Sequence, residues 1–290
     1  IIREHVNADE NDVVICTGPG MTSALLKLMR MLGYKIPPCT KEYINIPEEN
    51  RPVIFVTHME HHSNQTTWLE TTAKKVEIIK PNKDGLVDLN HLRELLEKYK
   101  DEKIKIASIS ACSNVTGVFV PYHLIANLMH EYGGKCFVDF AACAPYVNIN
   151  MHPDNPAQKL DAIFFSPHKF LGGPGSAGVM IFDKNLYYSQ LPPEQPGGGT
   201  VKWTNPWGAH SYYEDVEQRE DGGTPPFLQT IRAALCIKLK EDMNPDIMMK
   251  REESLRKYVF KRLKSIKNIT VLACNDENRL LDISFSIVQM

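Results

Sequence analysis

Short, unbroken apolar runs alternate along the chain with segments whose apolar residues recur every three or four positions. The runs at 13–16, Val53–Thr57, Lys75–Ile79, 104–110, Lys135–Asp139, 162–166 and 178–182 read as strands, several of them apolar throughout. Segments 22–32, 89–100 and 121–132 carry the helical period. The first ends at Gly33, and the last has proline in its first turn and Gly133-Gly134 at its end. Pro81-Asn82-Lys83-Asp84-Gly85 punctuates the chain after the third strand. Strands without polar interruption, alternating with helices, predict an α/β fold with a mostly parallel sheet between helices.

From Pro225 the character changes: 227–243 and 246–264 read as two long helices joined at Asn244-Pro245. Strand-like segments at 269–273 and 281–288 follow, so residues 1–243 are expected to form a large domain and 244–290 the start of a smaller α/β C-terminal lobe. Both edges read as cut. The chain opens at Ile1 without a methionine, in what looks like the end of a helix, and stops directly after a strand-like run.

Composition narrows the classes. Hydrophobic residues at 43% and charged residues at 23% are ordinary globular usage, which rules out a disordered or collagen-like chain. Lys+Arg 33 against Asp+Glu 35 leaves no basic surplus to neutralise phosphates, so no nucleic-acid partner is expected. No apolar run reaches the roughly 18–20 residues of a membrane span, and no membrane association is expected. Seven cysteines are scattered with no C-x-x-C, the pattern of reduced thiols in a cytoplasmic protein.

In parallel sheets ligands bind beyond the carboxyl ends of the strands. Those positions carry Gly18-Pro19-Gly20-Met21-Thr22-Ser23, then His58, Glu60, His61, His62 and Asn64, then Ser113, Asn114 and Gly117, then Asp139, and finally Ser166, His168 and Lys169. Donors, a carboxylate, histidines and one lysine on one sheet edge suit an anionic aromatic ligand attached through an amine. Lys169 directly follows an apolar strand, where desolvation would lower its pKa and make its amine nucleophilic towards aldehydes; the other reading is a surface loop lysine. Asp139 ends an apolar strand, where a carboxylate is costly without a cation. A pyridinium nitrogen would be such a cation, and capping the next helix is the alternative. Residues 18–23 open a helix with amides and hydroxyls suited to phosphate, although the motif is neither a P-loop nor a full G-x-G-x-x-G. His58, His61 and His62 could hold a metal with Asp139, but neither H-E-x-x-H nor H-x-x-E-H is present, and no metal is expected. A histidine here can instead stack on an aromatic ring.

Glu60-His61-His62-Ser63-Asn64, Ser113-Asn114-Val115-Thr116-Gly117, Val138-Asp139-Phe140-Ala141, Ser166-Pro167-His168-Lys169 and Gly222-Gly223-Thr224-Pro225 stand in order along the chain. In that order and spacing they resemble the class V aminotransferase-like family of fold-type I pyridoxal-phosphate enzymes, above all its cysteine desulfurase and selenocysteine lyase branch. The resemblance implies a PLP-transferase large domain binding pyridoxal 5'-phosphate. Lys169 would carry the cofactor as a Schiff base and shuttle the proton. Asp139 would pair with the ring nitrogen, His61 would stack on the ring, and Asn114 would lie near its phenolic oxygen. Gly20, Thr22, Ser166 and His168 would surround the phosphate, and Thr224 would reach the cofactor phosphate of the partner in a homodimer. The implied substrate is a small amino acid, with cysteine desulfuration, and a sulfur-acceptor protein, as the leading case.

Three departures qualify that resemblance. The family's sulfur-accepting cysteine and carboxylate-gripping arginine would lie beyond Met290. Cys143 reads instead as a small buried residue and Arg279 as a solvated loop residue. Ala142 stands where desulfurases commonly place a glutamine, and Met21 where a threonine often helps hold the phosphate. Trp203 and Trp207, after the glycine-rich 197–199 segment, suit either a pocket wall or a dimer interface. An aminotransferase or another pyridoxal-phosphate lyase is the alternative within the family. Outside it stand a metal-dependent hydrolase and a catalytically silent scaffold.

Overall fold

In the computed structural model, which describes residues 1–272 and 279–281 and the backbone of 285–287, seven strands build one twisted sheet. In chain order the elements are α1 (Ile2–His5), β1 (Asp12–Thr17), α2 (Met21–Met31), β2 (Val53–Thr57), α3 (His62–Leu69), β3 (Lys75–Ile79) and α4 (Leu89–Lys98). There follow β4 (Lys105–Ser110), α5 (Tyr122–Glu131), β5 (Lys135–Asp139), β6 (Ala162–Phe165) and β7 (Gly178–Asp183). The sheet order is β1-β7-β6-β5-β4-β2-β3, and β7 alone runs against its neighbours. The other six share one direction, so their carboxyl ends meet along one edge.

The side-chain period of two explains both the covered faces and the apolar runs. Phe55, Ile109, Val138, Ile163 and Ile181 point to one face, where they pack with Leu92 and Leu96 of α4 and Ile125 and Met129 of α5. Ile54, Val56, Phe137, Phe164 and Phe182 point to the other and meet Leu25 and Leu28 of α2 and Trp68 of α3. Each such side chain contributes about 1.5–3 kcal/mol by burial. That outweighs the few tenths of a kcal/mol by which intrinsic propensity favours a helical residue.

The sheet's edge strand β3 is shielded by charge: Glu77 accepts from Lys98 Nζ at 2.9 Å and from the Tyr99 hydroxyl. Beyond the sheet, a hairpin of β8 (Val201–Thr204) and β9 (His210–Tyr212) leads into α6 (Val216–Arg219). It carries Trp203 on β8 and Trp207 in its turn, both exposed. The long helices are α7 (Phe227–Asp242) and α8 (Pro245–Lys264), and Asn244 between them caps α8 through the N–H groups of Asp246 and Ile247. A short antiparallel pair, β10 (Ile269–Val271) with β11 (Phe285–Ile287), follows. Cys274, with 273, 282–284 and 288 of the expected terminal strands, lies outside the described residues. Arg279 departs from expectation: it is 4% exposed rather than solvated, with its guanidinium 5.0 Å from the Phe260 ring. The neighbouring Leu280 N–H bonds the Gly117 carbonyl, which draws this segment against the strand-end loop that carries Asn114.

Candidate active site

Five strand-end segments converge on one cavity of about 250 Å³, a volume for a small ligand rather than a dinucleotide. Its lining includes Gly20, Thr22, His61, Asn114, Asp139, Ser166, His168 and Lys169, eight of the nine residues expected from sequence. Thr224 does not line it; that residue is exposed on a turn before α7.

One wall is the start of α2. Gly20 takes φ 154°, a conformation other residues rarely adopt, and an added Cβ would lie 2.7 Å from His168 Cε1 and 3.0 Å from Ser166 Oγ. Gly178 at the start of β7 is equally constrained, since its Cβ would fall 2.3 Å from the Gly20 carbonyl oxygen. These close approaches hold the loop against β6 and β7. The Met21 N–H donates to Ser166 Oγ at 2.9 Å, and the Thr22 hydroxyl donates to Ser63 Oγ at 2.7 Å. Gly20 gives α2 no side-chain cap, so apart from the Met21 N–H its first turn presents a positive dipole end to whatever anion enters the cavity.

The floor is Asp139, 6% exposed at the end of β5. One of its oxygens accepts from the Ala141 N–H at 2.8 Å, so it does cap the turn that follows. No cation lies within ion-pair distance among the described residues. Burial foremost, and the neighbouring Glu60, push its carboxyl up to about 7, against the pull of the Ala141 amide and of Lys169. The capping reading is met by the Ala141 amide, and among the described residues no cation is paired with the carboxylate.

Lys169 corrects an expectation. A short helical turn, Pro167–Lys169, lifts it off the strand end, and its side chain is exposed rather than desolvated. Its amine opens into the cavity beside His61, whose ring is held below the usual histidine range by partial burial, then by Lys169 and His62. His61 caps α3: its Nδ1 accepts from the Ser63 N–H at 3.1 Å, which makes Nε2 the protonated nitrogen when the ring is neutral. His58 turns away, its Nε2 3.0 Å from the Gly85 carbonyl. Among the described residues the one triad of metal-type side chains near enough to share an ion is Asp9, Asp12 and His152, at the opposite end of β1. The histidines and Asp139 are not brought together as a ligand set.

Sequence reasoning missed two supports. Glu60 accepts from the Thr57 N–H and hydroxyl, the Asn64 amide and the Ser110 hydroxyl, just outside the cavity. Lys240 of α7 is buried and donates to the carbonyls of Ala144, at 2.7 Å, and Val147, which secures the turn after Asp139. Burial lowers its amine to about 8. Glu60 had a signal, standing directly before His61 at a strand end; Lys240 had none, being one polar residue on a long helix. Cys143 is buried as expected, and burial raises its thiol. Cys112 lines the cavity, but it is 2% exposed with its thiol 3.1 Å from the Gly117 carbonyl. Trp203 and Trp207 do not line this cavity.

A strand-end cavity of this make-up on this sheet belongs to a recognisable class of α/β protein. The aminotransferase class-V family model matches residues 40–290, and the chain belongs to that family. A probable cysteine desulfurase of Halalkalibacterium halodurans is 29% identical over 275 residues, 93% of this chain and 61% of the relative. A cysteine desulfurase of Haloferax volcanii is 27% identical over 239 residues, 81% of this chain and 53% of the relative. The chain thus spans about half to two thirds of the length of these relatives. Among solved structures, a cysteine desulfurase of Thermococcus onnurineus NA1 superposes with a TM-score of 0.78 at 20% identity, over 100% of this chain and 66% of the other. One of Escherichia coli gives 0.73 at 22%, over 99% and 66%. These two share the fold.

Proposed function

We propose that this chain forms the cofactor-binding part of a pyridoxal 5'-phosphate enzyme acting on a small amino acid, with cysteine desulfuration as the leading reaction. The observation that carries the reading is the pairing of a buried carboxylate lacking a cation with an exposed lysine amine and an uncapped helix start, all on one cavity. Those features answer the ring nitrogen, aldehyde and phosphate of the cofactor, so the residues fit the group. When bound, the cofactor supplies a conjugated sink for the electron pair left at the substrate's α-carbon.

The chain's own residues do the rest. Asp139 holds a proton on the ring nitrogen by charge, which its water-poor position strengthens. Thr22, Ser166, His168 and the α2 amides around Gly20 would hold the phosphate, His61 would stack on the ring, and Asn114 would serve its phenolic oxygen. Lys169 would hold the aldehyde, and its Nζ could move the substrate's α-proton as base and then acid. In desulfuration a thiolate then takes the substrate's sulfur, leaving alanine and a persulfide. The named relatives support that outcome for this chain.

The second reading is an aminotransferase or other pyridoxal-phosphate lyase, which needs no mobile thiol at the site. The exposed Thr224 turn suits a homodimer in which Thr224 reaches the partner's cofactor phosphate. A sulfur-acceptor protein, a cytoplasmic location and a division into residues 1–243 and 244–290 belong to the same proposal. No helix among the described residues is long and apolar enough to cross a membrane.

The test is spectroscopic. The wild-type chain mixed with pyridoxal 5'-phosphate should develop an absorbance near the visible edge that borohydride bleaches, and Lys169→Ala should not. Release of alanine from cysteine, with sulfide freed when an added thiol reductant reduces the persulfide, then separates desulfuration from transamination, which would yield a keto acid. An identical borohydride-sensitive band in Lys169→Ala would remove the proposal's basis.

A further inference from the structure

We propose that Glu60 is a positioning residue for this cavity, holding a second negative charge behind Asp139 through Ser110 so that the floor demands a cation. The inference deepens the reading above and rests on it for the identity of that cation. Glu60 sits in the turn between β2 and α3, and its carboxylate is gripped from three elements. Thr57 at the end of β2 gives its N–H at 3.2 Å and its hydroxyl at 2.6 Å; Asn64 of α3 gives its amide at 2.7 Å; Ser110 at the end of β4 gives its hydroxyl at 2.7 Å.

The donor set defines the charge. The Thr57 oxygen already accepts from the Met59 N–H, and the Asn64 oxygen from the Ser108 hydroxyl at 2.6 Å, so hydroxyl and amide face Glu60 as donors. Four donors onto two oxygens match the acceptor capacity of a carboxylate, the form with the most lone pairs to receive them. Burial foremost raises its pKa above the ordinary carboxylate value, and these bonds pull it back only in part.

The link to Asp139 is the sheet itself. Ser110 and Asp139 are register partners on β4 and β5, in strands about 4.8 Å apart, and both line the cavity. Glu60 does not line it and so acts through Ser110 and its field. The groups facing Asp139 are Glu60 from the β2–α3 turn, Lys169 from the turn after β6 and the Cys143 thiol from the turn after β5. His61 and His168 face the same cavity. Lys169 is the one permanent cation in that set, and it stands outside ion-pair distance. One carboxylate therefore faces, and a second stands behind, a space that the described residues leave without a paired positive charge. Glu60 also directly precedes His61 and holds the first turn of α3 through Asn64, so the same bonds set the height of the ring-covering histidine.

The experiment is a ¹³C-carboxyl NMR titration of the full chain without cofactor. In Glu60→Gln the Asp139 midpoint should fall from about 7 by about one unit or more, a tenfold change in proton affinity. Ser110→Ala, which keeps the charge, should shift it less. Asp139 is still protonated while Glu60 titrates, so the Glu60 midpoint of the wild-type chain should lie below that of Asp139; this arm stands if Glu60→Gln does not fold. Pyridoxal-phosphate retention at pH 8 should weaken about tenfold in Glu60→Gln, the affinity counterpart of one unit. An Asp139 midpoint unmoved in a folded Glu60→Gln, or a wild-type Glu60 midpoint at or above that of Asp139, overturns the proposal. If the titrations are coupled but wild type takes up no cofactor, the Glu60 assignment stands and the cofactor reading fails.

Discussion

Two aspartates of the same sheet, Asp139 at the carboxyl end of β5 and Asp161 just before β6, are both nearly sealed from water, yet the chain treats them in opposite ways. Asp161, 0% exposed, is met by His130 Nε2 at 2.7 Å, Lys135 Nζ at 3.0 Å and the Cys136 N–H at 2.9 Å. Burial would raise its pKa, but His130, Lys135 and the amide outweigh it, and its carboxyl stays below the ordinary range. Among the described residues Asp139 receives one amide bond and no paired cation, and burial wins. A buried charge that the fold completes is structural; one that it leaves incomplete, facing a cavity, is a place for a ligand. The incomplete one lies at the sheet edge where parallel strands present ligands.

The largest test of this contrast is pH. Asp139 keeps its proton in the folded chain up to about 7 but loses it near 4 when unfolded. Between those values the folded state binds more protons, so stability without cofactor should fall as pH rises through that window, by at most about 4 kcal/mol. Asp139→Asn should abolish that slope, read from urea unfolding at pH 5 and pH 8; an unchanged slope would mean that Asp139 is already paired. Asp161→Asn should act in the other direction, losing about 2–4 kcal/mol at pH 7, because its stabilisation is present above the unfolded carboxylate pKa and disappears in acid. A neutral result there would erase the distinction between the two carboxylates. The smallest effect is expected at the cup rather than at the charges. Gly20→Ala strains its backbone and crowds His168 and Ser166, which should weaken pyridoxal-phosphate binding roughly tenfold, about 1–2 kcal/mol. Equilibrium dialysis would measure it.

Much of this was legible before any coordinates. The strands were readable because both sheet faces are covered, so apolar residues run unbroken along Val53–Thr57 and Lys135–Asp139. Lys169, Asp139, His61 and the 18–23 loop could be picked out because a parallel sheet sends its strand ends to one edge, and position after a strand is a local property. The exposure of Lys169, the burial of Arg279 and the part played by Lys240 were not readable. Each depends on which distant segment packs against the residue: the turn that lifts Lys169, the Phe260 ring against Arg279, the 144–147 carbonyls around Lys240. The sequence by itself determined which residue types reach the edge, since periodicity and strand ends are written in neighbouring positions. Only the tertiary structure decided which charges find partners, because pairing and desolvation depend on groups brought together from far along the chain: Asp161 meets Lys135, and Asp139 meets none.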